Sequence, residues 1–258
     1  MPDNNIIDTH AHLCDPVFDQ DRTAVLERAR VAGVGAIIAV SENLPDAQRN
    51  LELAGQHPMI RPAAGLYPSI LDRNKAREMY TFIGKERANI VAIGEVGLDF
   101  WVVKEESDKA LQREIFKGFI DLSLELDLPL NVHSRSAGRH VLSLLFEGKA
   151  SRVQLHAFDG KASAAQPAVE AGYFFSIPPS VGRSRQKQKL VKQLPLSCLL
   201  VETDSPVLGP SPLERNEPAN VIVSIRAIAE IKKISESDVI KAVAENAGKL
   251  YGDRILWV

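Results

Sequence analysis

Asp8-Thr9-His10-Ala11-His12 follows the short apolar run Ile6-Ile7 near the start of the chain. Side chains two residues apart on a strand share a face, so His10 and His12 can grip one metal ion. Standing alone, the pair fits a solvated turn equally well. The other histidines decide between these readings. Of the six in the chain, His133 and His156 also fall at the ends of apolar runs, whereas His57 and His140 lie in a predicted loop and helix. Carboxylates close two further runs: Glu95 in Gly94-Glu95-Val96-Gly97-Leu98-Asp99, and Asp204 in Val201-Glu202-Thr203-Asp204-Ser205-Pro206.

Imidazoles mixed with carboxylates suit Zn²⁺ or Mn²⁺, not Ca²⁺, which prefers all-oxygen cages. His10, His12, Glu95, His133, His156 and Asp204 outnumber the three protein ligands of a catalytic zinc. Two divalent ions about 3.5–4 Å apart account for the set better, with Glu95 as the bridge. Such ions lower the pKa of bound water towards about 7, and the resulting hydroxide is a nucleophile. Asp204 is the candidate to take or orient its proton. Glu202 is either a direct ligand or an outer partner that orients one, and Asp99 reads as an outer partner. Cys14 reads as a small buried residue rather than a ligand.

A scaffold must bring these distant residues together. Short aliphatic runs recur roughly every thirty residues, each followed by a segment of helical period, which is the pattern of repeated βα units. The predicted strands are 6–10, 34–40, 60–65, 90–95, 130–133, 153–156, 173–177 and 198–202; their nearly continuous apolar character suits strands buried on both faces. Helices are predicted at 22–32, 45–56, 74–87, 137–146, 162–171 and 184–193, with a helical tail from 218 to the end. After Ser107, Leu111, Ile115, Phe119, Leu122 and Leu126 form a core-facing stripe at helical spacing. Without a composition break the 258 residues read as one domain, and eight βα units are the order of a (β/α)8 TIM barrel, which places chemistry at the carboxyl ends of its strands. A doubly wound sheet is the competing architecture, but its Gly-rich phosphate loop after the first strand is absent.

The formal charge of −2 argues against a protein that coats duplex nucleic acid non-specifically, while leaving room for a local basic patch. Two cysteines, Cys14 and Cys198, make no disulfide framework, so a reducing compartment is expected. Met1-Pro2-Asp3-Asn4-Asn5 does not resemble a secretory leader, and no run of about 18 apolar residues occurs. The expectation is a cytosolic protein, or a nuclear one in a eukaryote, with no membrane association and no obligate protein partner.

Arg135, two residues after His133, is placed to clamp an anionic group beside the metals. Arg215 opens the segment after the eighth strand, a favoured site of phosphate contacts in such barrels. Residues 182–192 supply five positive charges, either a solvated helix face or a guide for a short nucleic-acid strand. Trp101 and Tyr67 are candidate stacking residues that also fit simple packing.

Taken together, Asp8-Thr9-His10-Ala11-His12, Gly94-Glu95-Val96-Gly97-Leu98-Asp99, Val132-His133-Ser134-Arg135, Leu155-His156-Ala157-Phe158-Asp159-Gly160, Glu202-Thr203-Asp204-Ser205-Pro206 and Arg215-Asn216-Glu217-Pro218 resemble the TatD family of metal-dependent hydrolases over nearly the whole chain. Asn131-Val132-His133-Ser134-Arg135-Ser136-Ala137-Gly138-Arg139 resembles its third TatD-domain-containing branch in particular. The resemblance implies a (β/α)8 barrel of the amidohydrolase superfamily and Mg²⁺- or Mn²⁺-stimulated deoxyribonuclease activity, often 3'-to-5' exonucleolytic. It also implies that His10 and His12 hold one metal and His133 and His156 the second, with Glu95 bridging and Asp204 binding metal and handling the proton. One departure stands out: the family's Gly-x-His-Pro reads Gly65-Leu66-Tyr67-Pro68 here. The Tyr67 phenol retains a hydrogen-bond donor for a phosphate or leaving oxygen.

The expectation is therefore a phosphodiesterase using two divalent ions (Mg, Mn or Zn) on DNA ends or short single strands. The same barrel could instead hydrolyse a C–N or carboxyl-ester bond, since fold does not fix function, but such substrates would not need Arg135, Arg215 and the basic run. A silent protein with a structural metal is disfavoured by the surplus of ligands.

Overall fold

A computed structural model describes residues 6–255. Met1–Asn5, read above for the want of a leader, and the last three residues of the expected helical tail lie outside the described residues. Strands and helices alternate: β1 (Ile6–Ala11), α1 (Arg22–Val31), β2 (Val34–Ala39), α2 (Leu44–Gln56), β3 (Ile60–Ala64), α3 (Arg73–Glu86), β4 (Ala92–Gly97) and α4 (Glu106–Leu126), followed by β5 (Leu130–His133), α5 (Gly138–Glu147), β6 (Val153–Leu155), α6 (Gln166–Glu170), β7 (Phe174–Ile177), α7 (Arg185–Gln193), β8 (Leu199–Val201), α8 (Val221–Lys232) and α9 (Glu236–Tyr251).

The strands pair in parallel, in chain order from β1 to β8. β8 meets β1 across a seam joined by backbone bonds from Asp204 to His10 and from His12 to Ser205, each 2.8 Å. Side chains of the two motifs zip it further. Thr9 Oγ1 donates to the Val201 carbonyl at 2.9 Å, and the Asp8 carboxyl accepts from the backbone and hydroxyl of Thr203 at 2.8 and 2.5 Å. Asp8 and Thr9 thus close the barrel, while His10 and His12 project at its mouth. Buried on all sides, the Asp8 carboxyl is pushed up to about 8 by burial, although the bonds from Thr203 and His10 oppose the rise.

Strand positions follow the predicted runs within one or two residues, because the strands are buried on both faces and dominated by apolar residues. Three helical expectations change. Residues 162–171 form a 3-10 turn, Ala162–Ala164, and a separate short α6, since Pro167 in a continuous helix would clash with the Ser163 carbonyl. The tail divides at Lys233, whose left-handed backbone (φ 58°) ends α8, and Ser235 then caps α9 by accepting from the Asp238 N–H. In α4 the buried face is rotated from the expected stripe: Gln112, Ile115, Phe116, Phe119, Ile120 and Ser123 are buried, while Leu111, Leu122 and Leu126 are partly covered. Gln112 turns inward because it is fully bonded there, accepting from the Asp99 N–H at 3.1 Å and donating to the Pro68 carbonyl at 2.7 Å.

Candidate metal centre

His10 and His12, leaving the end of β1, turn their Nε2 atoms towards each other at 3.3 Å. Asp204, in the left-handed conformation (φ 54°) after β8, brings Oδ1 to 3.4 Å from His10 Nε2 and 3.3 Å from His12 Nε2. Glu95 reaches in from β4, Oε2 lying 3.5 Å from His12 Nε2 and 3.9 Å from His10 Nε2. Its other oxygen, Oε1, faces His133 Nδ1 at 2.6 Å and His156 Nε2 at 3.3 Å. Glycine makes that convergence possible: a Cβ on Gly97 would stand 2.1 Å from the His133 carbonyl oxygen, so only the bare backbone lets β4 and β5 approach there. Two candidate ligand groups, His10 with His12 and His133 with His156, therefore share Glu95.

Buried Glu95 Oε2 has no hydrogen-bond partner among the described residues. An unsatisfied buried carboxylate oxygen is costly, and a cation among these ligands would satisfy it. The donor set, imidazole nitrogen with carboxylate oxygen, fits a divalent ion of the Zn²⁺ or Mn²⁺ kind. Electrostatics agree. Burial disfavours charge on every member, yet His133 and His156 hold the Glu95 carboxyl well below the usual carboxylate range. Asp204 is likewise held low by His156, His10 and His12. Against burial, Asp204, Glu95 and Glu42 push His12 up to about 9. His133 is raised by Glu95 and Asp99, and His156 well above the ordinary value by Glu202 and Asp204. Mutually charged groups crowd here in the manner expected of ligands awaiting an ion.

Behind three of the four imidazoles stands a hydrogen-bonded acceptor, and a carboxylate lies near the fourth. His10 Nδ1 faces Asn131 Oδ1 at 2.9 Å; because Asn131 Nδ2 donates to the Thr9 carbonyl, its oxygen must face the ring, and Nδ1 carries the hydrogen. His12 Nδ1 lies 3.9 Å from Glu42. His133 Nε2 faces Asp99 Oδ2 at 3.1 Å, and His156 Nδ1 faces Glu202 Oε2 at 3.2 Å. Asp99 and Glu202 thus stand as outer partners. The oxygens of Glu202 also accept from Ser176 Oγ at 2.6 Å and the Ala157 N–H at 2.8 Å, so three of its roughly four acceptor sites are taken by the protein. Sequence reasoning missed Asn131 and Glu42. Asn131 had a signal: it lies two residues before His133 on the same face of one strand.

A cavity of about 570 Å³ opens over the centre, with Arg135, Tyr67, Glu42 and Lys187 in its wall. The Arg135 guanidinium lies 5.2 Å from the ring of Trp101, which is 60% exposed beside the mouth. Tyr67 donates its hydroxyl to Asp99 at 3.2 Å, and burial with the nearby carboxylates drives its pKa up, so it stays a donor. Of the basic run, Lys187 alone enters this cavity, donating to the Ala157 carbonyl at 2.9 Å. Cys14, half-buried, directs its thiol to the Val40 carbonyl at 3.8 Å, apart from the ligands.

Arg215 requires a correction. It does not line the cavity; it pairs with Asp21 at 2.6 Å, donates to the Val17 carbonyl at 2.8 Å and covers the Phe18 ring at 4.9 Å. Its neighbours work likewise: Asn216 Nδ2 donates to the Thr203 and Val207 carbonyls at 2.8 and 2.7 Å, and Glu217 pairs with Arg28 at 2.6 Å. Arg215-Asn216-Glu217-Pro218 is a clamp that fixes the loop carrying Asp204 onto α1. The loop is long enough to carry Arg215 away from the strand end, which its position in the sequence does not reveal.

Comparison with known proteins agrees with this geometry. The family model described as "TatD related DNase" matches residues 7–252. The chain belongs to the TatD family. It is 43% identical to human deoxyribonuclease TATDN3 over 95% of this chain and 94% of that one. It is 32% identical to the metal-dependent hydrolase YabD of Bacillus subtilis over 95% and 98%. Among solved structures, the TatD homologue YjjV of Escherichia coli superposes with a TM-score of 0.88 at 27% identity, covering 96% of this chain and 98% of that one. Within the TatD family, then, this chain is an eight-stranded barrel enzyme of the metal-dependent hydrolase type.

Proposed function

We propose that this TatD-family chain acts as a single catalytic unit, a deoxyribonuclease that removes nucleotides from the ends of single-stranded DNA with two divalent ions. The observation that carries the reading is the buried Glu95 carboxylate shared by two histidine pairs, with one oxygen left unsatisfied by the protein. The deoxyribonuclease among its relatives supports the substrate class. His10, His12 and Asp204 would hold one ion, His133 and His156 the other, and Glu95 both. Ions bound there, whether Mg²⁺, Mn²⁺ or Zn²⁺, acidify water and neutralise phosphoryl charge.

The chain's own residues do the rest. Asp204, held ionised by three imidazoles, is the base that accepts and passes on the proton of the attacking water. Arg135 and Lys187, both in the cavity wall, present cationic donors to the non-bridging phosphate oxygens as charge develops on them. Tyr67 donates its hydroxyl to Asp99, which in turn faces His133, and so steadies that ring where the Gly-x-His-Pro motif of the resemblance would place an imidazole. Two unpaired thiols support a reducing compartment, the cytosol or, in a eukaryote, the nucleus.

The test uses metal-stripped protein supplied with Mn²⁺, Mg²⁺ or Zn²⁺ and single-stranded DNA labelled at one end, with Asp204→Asn alongside. A ladder shortening from one end, absent in the variant, is expected. No cleavage with any ion, together with hydrolysis of a carboxyl ester or amide, would overturn the reading.

A further inference from the structure

Two more cavities adjoin the catalytic one. The first, about 570 Å³, shares Asp159 with it and is bordered by Arg139, His140 and Lys161. The second, about 650 Å³, shares Lys161 and Ser163 with the first and is bordered by Arg185, Lys189 and Lys192 of α7. Together they make a trough that leaves the metal centre, crosses the start of α5 and runs along α7. It is a built feature: Gln186 Nε2 donates to the Gly160 carbonyl at 2.9 Å and Lys187 Nζ to the Ala157 carbonyl at 2.9 Å, fastening α7 to the loop after β6. Its one carboxylate, Asp159, accepts from the Ser136 N–H at 2.8 Å.

The charge pattern is one-sided. Elsewhere Arg22, Arg28, Arg73, Arg152 and Arg215 each pair with a carboxylate. Along the trough, Arg139, Lys161, Arg185, Lys189 and Lys192 have no side-chain ion pair among the described residues. Lys75 and Lys241 likewise have no carboxylate partner among the described residues, but they lie apart on α3 and α9, whereas the trough lines five cations against one carboxylate and ends at the proposed phosphodiester-cleaving site, the electrostatic form of a strand-binding groove.

We propose that this trough binds the phosphates of the single strand upstream of the scissile bond, with Lys161, Arg185 and Lys189 as its contacts. The proposal rests on the nuclease reading and makes affinity depend on strand length. Phosphates beyond the cavity add contacts, so a dodecanucleotide binds better than a dinucleotide.

Binding of a fluorescein-labelled single-stranded dodecanucleotide, followed by anisotropy across a salt series, tests it without turnover. The triple variant Lys161→Ala, Arg185→Ala and Lys189→Ala alters exposed side chains only. Losing three phosphate contacts should flatten the slope of log K against log salt by about 2, and weaken binding roughly tenfold at low salt. A matched variant, Lys75→Ala, Lys85→Ala and Lys241→Ala on α3 and α9, carries the same net charge and should bind as the parent does. Cleavage of a small diester, bis(p-nitrophenyl) phosphate, should be unchanged in both. Equal binding by parent and trough variant, or equal weakening in both variants, overturns the trough. If no diester is cleaved by any form, the nuclease reading fails, while the binding series still decides whether the trough holds a strand.

Discussion

His10, His133 and His156 are each aimed from behind by a hydrogen-bonded acceptor, which decides the nitrogen left to meet an ion. Glu202 is the plainest case: it accepts from Ser176, Ala157 and His156 at once, so His156 presents Nε2 towards Glu95. Glu202→Gln keeps the shape but removes the charge and one acceptor. Loss of such an outer partner typically costs about 10–100-fold in metal affinity or activity. That loss is expected here, read by Mn²⁺ titration and by turnover, while Cys14→Ser, which touches no ligand, should leave both unchanged. The candidate ligands could be read from the sequence because His and carboxylates at strand ends have few structural reasons to coincide. The role of Glu42 could not, and that of Asn131 only through its place on the His133 face of β5, since an amide or a carboxylate becomes an orienting acceptor only through what it faces.

Among the connecting elements, loops decide function where the sequence is least informative. Arg135 closely follows a strand end and Arg215 lies in the long segment after another, and both suggest phosphate binding, yet only Arg135 reaches the cavity. A hydrogen bond to a charged group contributes about 1.5–3 kcal/mol, so Arg135→Ala should raise KM for DNA by roughly tenfold to a hundredfold. Arg215→Ala should leave KM unchanged and lower Tm modestly, since its pair with Asp21 is solvent-screened while its bond to the Val17 carbonyl and its cover over Phe18 are lost. Equal KM effects of the two substitutions would place Arg215 at the substrate after all. The rotated face of α4 teaches the same lesson: spacing marks an apolar stripe, whereas Gln112 is drawn inside by two backbone groups that only the packed structure puts beside it.

For the molecule as a whole, the centre links metal, protons and stability. Without ions, His12, His133 and His156 are raised by neighbouring carboxylates and hold their protons to higher pH than a free imidazole does. An ion takes neutral imidazole, so uptake must release protons and affinity must rise with pH. The sign for the ion-free fold is opposite. His12's ion pairing stabilises fully below its unfolded value of about 6.5 and is lost as pH rises through about 9. Calorimetric Mn²⁺ titration in two buffers of different ionisation enthalpy should show proton release, and none would refute the linkage. At free Mn²⁺ a hundredfold above its Kd, the folded state should gain about 2.7 kcal/mol, raising Tm by roughly 5–10 °C.

What the chain determined by itself was the repeat, the buried character of each strand and the types of side chain at the strand ends, because periodicity and ligand chemistry are local properties. Closure was decided in three dimensions. Asp8 and Thr9 read as mere neighbours of the histidines until β8 lies beside them, and then they bind Val201 and Thr203 across the seam. Tertiary structure likewise moved Arg215 out of the site and set acceptors behind the imidazoles. Each of these outcomes depends on which groups, far apart along the chain, are left without water and must satisfy one another.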